Sequence, residues 1–228
     1  DRRAEKLIAY AKGGGNVIMT CRTAFKDHFD AMLPERPPAL GFQDIAGIEV
    51  EEYYPLDHAA PLESKLLQDN GTARIWAEKL KTAPYKLVTT IAKYKPFNGW
   101  LDGSPAITQN MLGRGIVWYV GCILDDASHR KLLDHIIQYL LIYPHLKEVP
   151  FGMEACAREN EDGDKFYILI NHQNATIQTQ FPKGFFEFIT QAEYQGVINV
   201  PPYAVAVLGK KPKPVIPEGE SPTEEPAE

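Results

Sequence analysis

Thirty carboxylates, six histidines, three cysteines and four serines are the side chains of this 228-residue chain that could break or form bonds. A thiol nucleophile needs a tight strand-to-helix turn and a positioned imidazole. Cys21 ends an apolar run, Asn16-Val-Ile-Met-Thr-Cys21, but Arg22-Thr23-Ala24 follows without a glycine. Cys122 follows Gly121, yet Ile123 and Leu124 keep the strand running. With Cys156 they make no CxxC pair, so no disulfide framework or zinc ribbon is implied, and each reads as a buried, inert thiol. None of Ser64, Ser104, Ser128 and Ser221 lies in a GxSxG elbow. The histidines are scattered; His129 and His135 share a predicted helix, but about 120° separates them at ~3.6 residues per turn, so they cannot hold one metal. Glu51 and Glu52 are strand neighbours on opposite faces. Asp125 and Asp126 suit a helix cap, which leaves no acid–nucleophile pair for glycoside hydrolysis. Gly13-Gly14-Gly15 follows a helix and has no GK[ST] after it, so it reads as a C-cap and not a phosphate loop. Trp100, in Phe97-Asn-Gly-Trp100-Leu-Asp-Gly103, is the aromatic best placed to stack on a sugar; Trp76 and Trp118 fall in strand patterns and read as core. These patterns assign no catalytic, cofactor or metal-binding residue.

The elements that must position these groups fall into two textures. Residues 1–145 read as an α/β layer domain. Ala4, Leu7, Ile8 and Ala11 form a helical apolar stripe that stops at the glycines, and the strand ending at Cys21 follows. A polar, proline-rich excursion covers 22–40. Ile45–Glu52 alternates as a strand with one wet side. Strands are predicted over 73–80 and 85–94, and a hairpin over 106–110 and 116–120 around Gly113-Arg114-Gly115. The continuously apolar Ile116-Val-Trp-Tyr-Val120 belongs at the centre of its sheet. Asp125, Asp126 and Ser128 supply N-cap chemistry for a helix whose apolar face carries Leu132, Leu133, Ile136, Ile137, Leu140 and Leu141. Residues 149–209 carry short strands at 166–170, 176–181, 185–189, 196–200 and 203–208, the pattern of a small antiparallel β-sandwich or barrel. Residues 210–228, rich in Pro and Glu, read as a disordered tail. A helix that feeds a strand with no strand before it implies an N-terminally incomplete unit, a portion of something longer.

Composition sets the remaining bounds. The hydrophobic fraction is 44% and the charged fraction 24%, which suits a folded chain. Half of the net charge of −6 lies from Lys211 onward, where five Glu face two Lys; the remaining body is nearly neutral and has no basic stripe for nucleic acid. The apolar stretch Ile136–Tyr143 is too short for the ~18 residues that cross a bilayer, and no signal peptide opens the sequence, so a cytoplasmic location without membrane partners is expected. A complete eight-stranded βα barrel of ~250 residues does not fit beside these elements.

Four stretches resemble the glycoside hydrolase family 42 β-galactosidases, in the same order. They are Gly14-Gly15-Asn16-Val17-Ile18-Met19-Thr20-Cys21-Arg22-Thr23 with Lys26-Asp27; Ala46-Gly47-Ile48-Glu49-Val50-Glu51-Glu52-Tyr53; Gly103-Ser104-Pro105-Ala106-Ile107-Thr108-Gln109-Asn110 with Gly113-Arg114-Gly115 and Tyr119-Val120-Gly121; and Pro201-Pro202-Tyr203-Ala204-Val205-Ala206-Val207-Leu208. The resemblance implies an amidotransferase-like (flavodoxin-like) trimerisation domain and a small C-terminal β domain. The catalytic βα barrel and its two glutamates would lie outside this sequence. It implies a homotrimer, a parent enzyme that hydrolyses terminal β-D-galactosides with retention, no cofactor, and no working nucleophile in the amidotransferase-like fold. Cys21 stands where the family pattern leads one to expect an aromatic residue. The loop after the first strand, with Arg22, Thr23, Lys26 and Asp27, is the candidate subunit contact. Two other readings are an autonomous cysteine hydrolase of amidotransferase type and a carbohydrate-binding or interaction module using Trp100.

Overall fold

A computed structural model describes residues 2–68, 71–84, 86–144, 146, 149–181, 183–193 and 196–211. The tail expected at 210–228 lies outside these residues from 212 onward. The chain divides into two compact units, Asp1–Ile142 and Tyr143–Glu228.

The first unit opens with helix α1 (Arg2–Lys12), which buries Ala4 and Ala11. Leu7 of the predicted stripe is 48% exposed. The glycines end the helix as expected: Gly15 N–H donates to Tyr10 O, Gly14 N–H donates to Ala11 O, and Gly14 takes φ +98°. Strand β1 (Val17–Thr20) follows. Ile45 and Ala46 belong to a short helix α2 (Phe42–Ala46), not to the predicted strand. Phe42, Ile45 and Ala46 are buried at i, i+3, i+4, and Gly47 at φ 69° returns its N–H to Gln43 O, so the turn beats the period-two pattern. The strand begins one residue later as β2 (Ile48–Pro55). Then come β3 (Ala60–Glu63), which the sequence patterns missed, β4 (Gly71–Thr82), β5 (Val88–Tyr94), the hairpin β6 (Pro105–Leu112) and β7 (Gly115–Val120), β8 (Cys122–Leu124) and helix α3 (Asp126–Tyr139).

The strands form one sheet in the order β1-β7-β6-β5-β3-β4-β2, with β8 paired to β4. Among the described residues, only the β1–β7 pair of this sheet is parallel. β7 lies between β1 and β6 and is buried at every position, which explains its unbroken apolar sequence. Its alternate residues face two cores. Ile116, Trp118 and Val120 join the cluster containing Leu132 and Ile136 of α3, whereas Val117 and Tyr119 join the cluster containing Ala4 and Ala11 of α1 and Ile45 of α2. Burying Leu132 and Ile136 contributes roughly 1.5–3 kcal/mol each. At Gly121, between β7 and β8, the chain exchanges β6 for β4 as its partner: Gly121 N–H donates to Ala106 O and Gly121 O accepts from Glu78 N–H, both at 2.8 Å. The pairing therefore closes on itself through β7-β6-β5-β3-β4-β8. Small buried residues, Ala60, Ala73, Ala77, Ala92 and Ala106, share the core within this circuit.

The second unit is antiparallel. β9 (Met153–Glu159), β10 (Lys165–Asn171), β12 (Phe186–Glu187), β13 (Ala192–Glu193) and β15 (Val205–Gly209) order as β13-β12-β15-β10-β9, while β11 (Ile177–Gln180) pairs with β14 (Val197–Val200). Leu169, Phe181, Ile198, Val200 and Leu208 form its core.

Candidate interaction site

The candidate loop leaves the end of β1 through two left-handed residues, Arg22 (φ 67°) and Ala24 (φ 53°). Such φ values cost about 1–2 kcal/mol without compensation, so something must hold them. A carboxylate does. Glu78 of β4 is fully buried, and its Oε1 accepts the Arg22 N–H at 2.7 Å and the Trp76 Nε1–H at 3.2 Å. Its Oε2 accepts the Tyr119 hydroxyl at 2.8 Å. The Tyr94 hydroxyl donates to the Glu78 carbonyl at 3.3 Å. The Arg22 guanidinium lies 5.2 Å above the Trp76 ring. Trp76 stacks on Tyr53, which meets Phe25 edge to face.

Beyond Ala24 the loop is a pinned hairpin. Leu33 N–H donates to Phe25 O, Asp27 N–H donates to Ala31 O, and Lys26 bridges Met32. The Asp27 carboxylate accepts from Phe29 N–H at 2.8 Å and Ala31 N–H at 3.0 Å. The Thr23 hydroxyl donates to Thr20 O at 2.6 Å, and Lys26 pairs with Asp30 at 3.9 Å. Thus three of the four predicted contact residues, Thr23, Lys26 and Asp27, serve the loop itself, and Arg22 sits on Trp76. The loop turns outward the side chains of Phe29, 78% exposed, and Met32, 49% exposed. Sequence reading missed both, and it missed Glu78. The Trp76-x-Glu78 spacing, which puts both side chains on one strand face, was the available signal.

Burial pushes the Glu78 carboxyl above its ordinary value, against the lowering by its three donors and by Arg22. Burial and then Glu78 push the Cys21 thiol up to about 11. Burial and Cys21 likewise raise the Cys122 thiol. Only Cys122 is fully buried as expected; Cys21 and Cys156 are partly exposed, because each sits at a strand end or on an outer strand. Cys21, Cys122 and His129 do line one cavity of about 210 Å³, walled by Ile18, Ile123 and Leu133. Among the described residues no hydrogen bond joins the imidazole to either thiol, and both thiols are held protonated at neutral pH. The cavity brings the groups together without the coupling that nucleophilic catalysis needs. Among the described residues no group of three or more His, Cys, Asp or Glu could hold a metal, and no helix is long and apolar enough to cross a membrane.

Trp100 is 63% exposed and meets Tyr54 edge to face at 5.6 Å. Its loop is locked by Asn98 Oδ1, which accepts the Trp100 and Leu101 N–H groups, and by Asp102 Oδ1, which accepts those of Phe97 and Asn98.

Residues 1–142 match the beta-galactosidase trimerisation domain, and residues 152–210 match the beta-galactosidase C-terminal domain. The beta-galactosidase LacZ of Heyndrickxia coagulans is 31% identical over 178 residues, 78% of this chain and 25% of that protein. BgaA of Clostridium cellulovorans is 26% identical over 209 residues, 91% of this chain and 30% of that protein. Among solved structures, the beta-galactosidase from Bacillus circulans sp. alkalophilus aligns with a TM-score of 0.76 at 19% identity, covering 91% of this chain and 31% of that one. A catalytic mutant of Gan42B, a GH42 beta-galactosidase from G. stearothermophilus, aligns with a TM-score of 0.76 at 20% identity, covering 92% and 30%. The chain therefore spans about a quarter to a third of the length of these relatives.

Proposed function

Since this chain belongs to the glycoside hydrolase family 42 β-galactosidases and consists of their trimerisation and C-terminal domains, we propose that its task is to hold catalytic barrels together in a homotrimer. The barrel of the same parent protein, with its two glutamates, does the hydrolysis of terminal β-D-galactosides, with retention and in the cytoplasm. Residues 1–145 act as an amidotransferase-like trimerisation domain, 149–209 as the small β domain, and 210–228 as a tail. Helices on both faces of a sheet with a parallel β1–β7 pair support the amidotransferase-like reading. The loop bearing Arg22, Thr23, Lys26 and Asp27 is the subunit contact, as a closed ring needs a different patch on each side of every subunit.

The observation that carries this reading is the match of the trimerisation domain to residues 1–142. Two measurements test it. Analytical ultracentrifugation of the chain should give a mass three times that of one copy. A chromogenic β-galactoside should show no turnover with the 228 residues alone. Turnover abolished by a point substitution within the chain would overturn it, whereas a thiol alkylated unusually fast at neutral pH would favour the cysteine-hydrolase reading.

A further inference from the structure

We infer that the loop after β1 is a preset arm whose apolar tip, Phe29 and Met32, seats on a second copy of this chain, while its polar residues hold its shape. This deepens, and rests on, the trimer reading above. Three observations carry it.

The first is what the loop does with its polar groups. Asp27 commits its Oδ1 to the Phe29 and Ala31 N–H groups, and Thr23 donates its hydroxyl proton to Thr20 O. Both side chains are thereby tied to the loop's own backbone. The second is what the loop leaves out. A phenylalanine 78% exposed at the tip of a backbone-pinned hairpin cannot retreat into the core of its own unit. Around it stand Lys26, His28 and Asp30, all exposed. An apolar centre with a polar rim is the anatomy of a subunit contact. The third is how the arm is held. Buried Glu78 fixes the Arg22 N–H at its root, and Arg22 is laid on Trp76 beside Tyr53. An arm already in its docked shape binds without the cost of ordering a loop. Its root also offers Arg, Trp and Tyr, the residue types in which binding energy concentrates. A protruding knob cannot be self-complementary about a two-fold axis unless it faces itself. It suits the head-to-tail contact that closes a three-fold ring.

The experiment is sedimentation of the full chain across a concentration series, wild type against Phe29→Asp, Met32→Asp and Lys26→Ala. Because Phe29 and Met32 are exposed, circular dichroism and melting at low concentration should match wild type. The expected result is a rise of at least ~30-fold in the concentration of half-dissociation for F29D, a smaller rise for M32D, and less than about 2-fold for K26A. A wild-type chain that sediments as a monomer overturns the trimer reading and the inference with it. A wild-type trimer that tolerates both F29D and M32D overturns the inference alone. A K26A effect larger than that of F29D also overturns it, in favour of a polar contact.

Discussion

At the scale of single residues, Glu78 is the group with most at stake. Removing its carboxylate in Glu78→Ala leaves the Arg22 N–H, Trp76 Nε1–H and Tyr119 hydroxyl without their acceptor. Urea unfolding should register a loss of at least about 2 kcal/mol. Glu78→Gln keeps an oxygen for Arg22 and Trp76 and should lose less, with a difference that depends on pH. The folded carboxyl titrates above its ordinary 4.5, so the folded state holds a proton that the unfolded state gives up. From this group alone, stability is full below 4.5 and declines as pH rises through the folded value. The E78Q chain should lack that decline; an unchanged slope would place Glu78 among ordinary surface carboxylates. Cys21, with its thiol near 11, should react with iodoacetamide far more slowly at pH 7 than a free cysteine does. Rapid alkylation would reopen the nucleophile question. The sequence announced Cys21 as a strand-end residue but concealed why it is inert, because its neighbour Glu78 is fifty-six positions beyond Arg22.

At the scale of elements, local chemistry was legible where one short stretch satisfies itself. Asp125 caps α3 as read: it accepts the Ser128 N–H at 2.9 Å and hydroxyl at 2.7 Å. It also accepts the Thr72 N–H and hydroxyl, each at 2.8 Å, which tie α3 to β4 and which no local pattern encodes. Although burial opposes it, these donors hold the Asp125 carboxyl well below its ordinary 3.8. Its contribution is therefore complete above 3.8 and lost as the pH falls towards the folded value, the reverse of Glu78. Asp125→Ala should cost about 1–2 kcal/mol at pH 7, and the cost should shrink in acid; thermal melts at pH 7 and pH 3 check both signs. Gly47 ends α2 at φ 69°, and a Cβ there would lie 2.5 Å from Val88 Cγ2. Gly47→Ala should lower stability by roughly 1–3 kcal/mol. The α2 helix went unread because five residues are too few to show a helical period against the alternation that follows.

At the scale of the whole molecule, association makes stability depend on concentration. If three copies bind through the arm, the melting temperature should rise with protein concentration in wild type and stay flat in F29D. A flat wild-type series would contradict the trimer. The sequence by itself determined a great deal here: that residues 116–120 run through the middle of a sheet, that glycines stop α1, and that a second, all-β texture follows. Each of these is written in the types and spacing of neighbouring residues. Only the tertiary structure decided that at Gly121 the chain exchanges β6 for β4 as its pairing partner, that a buried carboxylate stands under the loop, and that the loop turns Phe29 outward while folding Asp27 and Thr23 inward. Periodicity states which face of an element is apolar. It does not state which distant element that face will meet, and the decisive contacts of this site join residues forty or more positions apart.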